Sequence, residues 1–172
     1  SRSDEAGCQR YLEQLQALRA VQALHIPGRG EKQITSDVAE LYQHAALVLP
    51  LYESMVQDLV RGVNGIDLVD VGLSIPSTLK KMGRIVEKCL LKRRDDPGNA
   101  GGICDVVRGM IECHSMGKIA DVLQCLSARK DVVVTRVKDR FFDQPSGSCV
   151  MVTAFLCGVL CSSLSLCVPA CL

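Results

Sequence analysis

The sequence contains no tryptophan, and aromatic residues make up only 3% of it, three Tyr and three Phe. So few rings cannot build the stacking platform that single-stranded nucleic acid needs. Net charge is +1, which leaves no global electrostatic case for nucleic acid or for an anionic membrane. No CxxC occurs, so zinc has no thiolate pair to start from. No glycine-rich stretch ends in Lys-Ser or Lys-Thr; "HIPGRGEKQ", residues 25–33, has the wrong glycine spacing for a P-loop and reads as a linker. There is no initiator Met and no signal-peptide pattern, so the numbering is expected to begin inside a longer or processed chain.

One absence is local. All 20 Lys and Arg and all 19 Asp and Glu lie in residues 1–143, and residues 144–172 carry no charge. Cysteine divides as well, with five of the ten in 149–172. The other five (Cys8, Cys89, Cys104, Cys113, Cys125) are scattered without paired spacing. That suits reduced, buried thiols in an intracellular, cytoplasmic protein better than a disulfide framework.

What is present reads as helices on a small sheet. Residues 4–24 predict a helix, with Leu12, Leu15, Leu18, Val21 and Leu24 recurring every third position. Asp37 followed by Glu40 marks a second helix start, and an apolar stripe from Val38 to Leu59 carries that helix to about residue 63. Pro50 is expected to kink or split it. Ser77 is read as the cap of a third helix, 78–92. Strands are predicted over 103–113 and 131–141, with a helix, "SMGKIADVLQCLSAR", between them. The class is α+β, helices packed on a small, incomplete mixed sheet.

Three features carry chemistry. Lys80, Arg84 and Lys88 stand four apart, which on a helix turns them the same way, with Lys81 and Lys92 extending that face. Asp105 opens a mostly apolar strand, where a lone carboxylate needs a partner: an ion pair with Arg108 or a nearby Lys, or a divalent cation. Arg136, Lys138 and Arg140 alternate along the second strand, lining a path of about 14 Å at strand rise. Such a row protects an edge strand or guides a polyphosphate. Together the three fit a nucleoside triphosphate with Mg²⁺. His25, His44 and His114 have no assignable Ser or Cys partner, so nucleophilic hydrolysis has no support.

The run "CDVVRGMIEC", then a helix, then "VVVTRVKDRFFDQPSGS", resembles the RelA/SpoT-like synthetase domain, of nucleotidyltransferase-type fold, in its divergent eukaryotic form. The preceding "LKKMGRIVEK" is similar to the ATP-binding helix of that family, and the resemblance spans residues 35–148. It implies pyrophosphate transfer from ATP to the 3′-hydroxyl of GDP or GTP, which makes the alarmone ppGpp or pppGpp. By motif, Asp105 matches the Mg²⁺-binding, catalytic Asp; Lys80 and Lys88 match basic positions on the ATP helix, and Lys138 the Lys of a Lys-Asp pair. Several positions depart from the family. Thr78 stands where an adenine-stacking Arg is usual, Arg108 falls two residues early, and Pro145 takes the place of a Lys. Neither a guanine-stacking aromatic nor a second acidic residue follows "PSGS", and no further strands are expected there.

The domain is therefore expected to break off near residue 148, its second half replaced as a frameshift, retained intron or misplaced gene end would do. On this reading the chain divides into a helix and linker (1–34), a partial synthetase-like domain (35–148) and an apolar, Cys-rich tail (149–172). That tail holds 18 apolar residues in 24, long enough to span a bilayer. Three functions compete: a nucleotide-binding domain without synthetase activity, a helical module that binds a protein partner through 4–24, and a protein anchored in a membrane through 149–172.

Overall fold

The computed structural model describes residues 5–23, 35–64, 71–91, 98–103, 105–143, 149–156 and 163–169. The linker at 25–33, Lys92 and Pro145 lie outside them. Among the described residues, four α-helices and five strands follow in the order α1 (Glu5–Ala23), α2 (Val38–Asn64), β1 (Val71–Leu79), α3 (Met82–Leu91), β2 (Val107–Cys113), α4 (Met116–Ala128), β3 (Val132–Asp139), β4 (Cys149–Leu156) and β5 (Ser163–Pro169). The strands form one mixed sheet ordered β1-β2-β5-β4-β3, in which only β2 and β5 run parallel. The α+β class expected from the sequence is the one observed.

Local chemistry explains most boundaries. Asp37 caps α2 through its Oδ1, which accepts from the Glu40 amide at 2.8 Å. Pro50 sits inside α2 without splitting it. Ser115 caps α4 by accepting from the Lys118 amide at 3.2 Å. A layer of α1, α2 and α4 packs on the sheet, α2 against β1 and β2, and α1 against α4 and β3. Tyr52, Leu59, Ile111, Ile119, Leu123 and Val152 are among the buried side chains between them.

The apolar face of α1 differs from the every-third reading. Tyr11, Leu15 and Leu18 are buried, Leu12 is half-buried, and Val21 is 48% exposed. Steps of three lag the helix by about 60° each, so a row of them slides off the buried side, whereas steps of four and three hold it. This face is spent on the chain's own α4 and β3.

The third helix and the tail need correcting. Where a helix capped by Ser77 is expected from 78, residues 71–79 form β1, which pairs antiparallel with β2. The helix begins only at Met82, because Lys80 gives its amide to the Val106 carbonyl at 2.7 Å and Lys81 is the first to supply a helical carbonyl, to Arg84 and Ile85. Strands also follow residue 148. β4 pairs with β3, and β5 lies between β2 and β4. The two uncharged segments thus hold the middle of the sheet, where a strand flanked on both edges reads as a nearly continuous apolar run. They are strands, not a membrane-spanning helix, and no helix among the described residues is long and apolar enough to cross a membrane.

One irregularity sets the chemistry of β3. Between Val134 and Arg136 the strand advances two residues while β4 advances one, from Ala154 to Thr153, so Thr135 is a bulge. Before it, Val132 and Val134 are buried; after it, Val137 packs on the core and Asp139 is buried. Strict alternation would have carried Arg136 and Lys138 into the core, at a prohibitive desolvation cost. The bulge turns them out.

Tyr11 anchors α1 on the end of β3. Its ring meets Phe141 edge-on, with centroids 5.8 Å apart, and lies 6.1 Å from Phe142. Asp139 Oδ1 accepts from the amides of Phe141 and Phe142. The Tyr11 hydroxyl and Asp139 Oδ2 are both buried and neither closes a hydrogen bond of good geometry. Burial, and then the nearby Asp139 carboxylate, push the Tyr11 phenol far above its ordinary value. Removing the ring is therefore costly and removing the hydroxyl is not. Tyr11→Ala is expected to destabilise the fold by about 3–5 kcal/mol and Tyr11→Phe by less than about 1 kcal/mol, read from urea unfolding midpoints.

Candidate functional site

The site begins where β1 ends. Two bonds fix the Lys80 backbone: its amide donates to the Val106 carbonyl, and its carbonyl accepts from the Tyr42 hydroxyl on α2 at 2.7 Å. The side chain then runs inward, only 7% exposed, and its Nζ donates to Asp105 Oδ2 at 2.7 Å. Lys88, one turn from the end of α3, donates to both Asp105 oxygens at 2.9 Å. Lys80 and Lys88 therefore share a target without sharing a helix face, since Lys80 precedes the helix. The partner that Asp105 requires is this pair; Arg108, the alternative, is exposed.

The β3 cations complete the field. The Lys138 ammonium is pulled below its ordinary value first by Arg136, then by partial burial and by Arg140 and Lys88, against a counter-pull from Asp105. Lys138 is thus within electrostatic reach of the Lys80–Asp105–Lys88 cluster, with Arg136 and Arg140 beside it. Arg84 is not brought in: it is exposed and pairs with Glu87 on its own helix. The sequence did not mark Tyr42 at all. An aromatic beside Leu41 on an amphipathic helix looks like core, and only the tertiary contact shows that it holds Lys80.

Electrostatics inside the cluster is a contest between burial and pairing. Burial raises the Asp105 carboxyl, but the two ammonium groups outweigh it and the net direction is down. Burial brings Lys80 down to about 8, and the Lys88 ammonium adds to that; the Asp105 carboxylate offsets it only in part. The Asp105 side chain is 25% exposed and Lys88 36%, so the cluster opens to solvent on the Lys88 side.

By the resemblance, Asp105 would carry Mg²⁺. That ion asks for about six oxygens in near-octahedral array. Here one carboxylate is offered, and both its oxygens already accept from ammonium groups. Among the described residues no three His, Cys, Asp or Glu side chains come together. This donor set does not fit a resident divalent cation.

By sequence, no protein-family model and no curated protein matches the chain. Its fold does match solved structures. The small alarmone synthetase 1 from Bacillus subtilis, bound to its product pppGpp, aligns at a TM-score of 0.60 with 14% identity, covering 77% of this chain and 73% of that one. The same enzyme in a second crystal structure aligns at 0.60 with 15% identity, over 77% and 71%. A Streptococcus mutans UA159 protein, smu.1046c, gives 0.60, 15%, 77% and 70%. The fold is that of the small alarmone synthetases, as the sequence motifs implied.

The cluster makes stability depend on pH in two windows. Asp105 titrates lower folded than unfolded, so its contribution is complete above the ordinary carboxylate value and is lost as pH falls through the folded one. Lys80 holds its proton to about 8 when folded but to about 10 when unfolded. Between these values the unfolded chain binds more protons, so raising the pH favours the folded state. Urea titrations of Asp105→Asn are expected to show a loss of about 1–3 kcal/mol at neutral pH and a flatter response below pH 4. Lys80→Met is expected to lack the wild-type gain between about pH 8 and 10.

Proposed function

We propose that this chain binds the polyphosphate of a purine nucleotide, ATP, GDP or GTP, between the Lys80–Asp105–Lys88 cluster and the cations of β3. The observation that carries the reading is convergence. Three elements distant in sequence, the end of β1, α3 and the approach to β2, deliver Lys80, Lys88 and Asp105 to one half-buried point. The bulge in β3 keeps Lys138 out of the core, and its ammonium is influenced by Lys88 and Asp105 of that cluster. A concentration of positive charge attracts anions, and ammonium and guanidinium groups bind phosphate with charge-assisted hydrogen bonds. The fold adds its own support, because a synthetase of this fold holds pppGpp.

The reaction that the fold serves in the alarmone synthetases is pyrophosphate transfer from ATP to the 3′-hydroxyl of GDP or GTP. It requires a group that takes the proton from that hydroxyl. In this chain the central strands β4 and β5, "CVMVTAFL" and "SLSLCVP", carry no carboxylate. Asp105 is committed to two ammonium groups and is a poor base, since its carboxyl titrates below the ordinary range. Binding is retained in this proposal and transfer is not.

Calorimetric titration with ATP, GDP and GTP tests the binding. Lys88→Ala and Lys138→Ala are each expected to weaken it roughly tenfold, the effect of one charge-assisted contact. Arg84→Ala, which alters a residue outside the cluster, is expected to leave it unchanged. Incubation with labelled ATP and GDP is expected to yield no alarmone above background; robust ppGpp formation removes the claim of lost transfer. Equal affinities for wild type, Lys88→Ala and Lys138→Ala remove the site.

A further inference from the structure

In this chain, we infer, the site takes its polyphosphate free of a divalent cation, with Lys80 in the position where a metal on Asp105 would meet the phosphates, so that Mg²⁺ opposes binding. The inference rests on the proposed nucleotide site and adds the ionic form of the ligand.

The argument is one of charge and occupancy. A divalent cation shared between a carboxylate and a triphosphate neutralises both. Here the Asp105 carboxylate is already neutralised, by Lys80 on Oδ2 and by Lys88 on both oxygens. Lys80 cannot easily leave. Its backbone is held at both ends, by Val106 and Tyr42, and its side chain is buried. A metal arriving at Asp105 would have to displace this fixed ammonium and lie beside it, at a distance where like charges repel strongly in a partly desolvated site.

The remaining charge points the same way. Lys80 and Lys88 both hold the one carboxylate, and Lys138, with Arg136 and Arg140 beside it, adds positive charge that acts on the same group. No second acidic side chain is available on β4 or β5 to receive a metal. A metal-free triphosphate carries two more negative charges than its Mg²⁺ complex and meets this field better. Lys88 sits at the solvent side of the cluster and can turn from Asp105 to a phosphate while Lys80 keeps the carboxylate paired.

The test is calorimetric titration of inorganic tripolyphosphate into the whole chain, in EDTA and again in saturating Mg²⁺, with ATP run in parallel. Tripolyphosphate is expected to bind in EDTA and to bind roughly tenfold more weakly in Mg²⁺. An ATP affinity above that of tripolyphosphate identifies the nucleotide as the source of the phosphates; an equal affinity assigns the contact to the phosphate chain alone. Both accord with metal-free binding. Lys80→Met, which leaves Asp105 with one ammonium, is expected to reverse the order, so that Mg²⁺ strengthens binding. Paramagnetic titration with Mn²⁺ alone is expected to show no bound ion on the wild-type chain. Binding that requires Mg²⁺, or is strengthened by it in the wild type, overturns this inference and leaves the nucleotide site standing. Absence of tripolyphosphate and ATP binding in both buffers overturns the two together. If Lys80→Met does not fold, the wild-type contrast decides alone.

Discussion

A carboxylate held between two ammonium groups is the interaction on which the rest of the site depends. Asp105 alone at its depth would be a costly charge to desolvate, and so would Lys80. Paired, each lowers the cost of the other, and the second ammonium leaves the group with a net positive charge. Such a cluster adds little net stability, because attraction and desolvation are of similar size. Its consequence lies in geometry. Only if β1 ends where it does, if α2 presents Tyr42, and if α3 starts after Lys81 do these three side chains meet. The fold is thereby tied to a local concentration of positive charge.

That field shows what the sequence could and could not reveal. Lys80, Lys88 and Asp105 were legible as a set because their spacing around a strand–helix–strand pattern matches a known motif. Lys80 and Lys88 do not share a helix face, since Lys80 follows the end of a strand and precedes the helix that carries Lys88. β1 escaped notice because Gly72, Pro76 and two serines interrupt its alternation, and its pairing with β2 is a long-range event that no local window contains. β4 and β5 were hidden by the opposite property. A charge-free run looks like foreign sequence or a membrane segment until one sees that both strands lie inside the sheet. The apolar composition that marked a boundary in the sequence is what a central strand requires.

The likeness to the alarmone synthetases, at 14–15% identity, separates two kinds of constraint. A fold asks for patterns: apolar positions at helical or strand period, caps such as Asp37 and Ser115, and turns in the right places. Many sequences meet those demands, so the backbone persists while identity falls. Chemistry asks for particular side chains at particular points and is lost by single substitutions. This chain has the pattern, and its strands β4 and β5 carry no acid. Binding a phosphate asks only for positive charge within reach, whereas group transfer also asks for a base placed at the attacking hydroxyl.

β3 joins the two constraints in one element. Its inward positions are sealed under α1 by Tyr11, Phe141 and the buried Asp139, while its outward positions carry the cations. One extra residue, Thr135, changes the phase between the valines that face the core and the basic residues that face away. Pairing it in strict alternation instead of bulging it out would exchange the two faces, driving Arg136 and Lys138 inward and Asp139 outward. The same consideration gives α1 a part in setting the phase of β3. By clamping the end of β3 through Tyr11, it holds the register in which the valines face the core and the cations face away. A sheet strand can serve a core and a charged cleft together only while such a clamp and such a bulge agree on its phase.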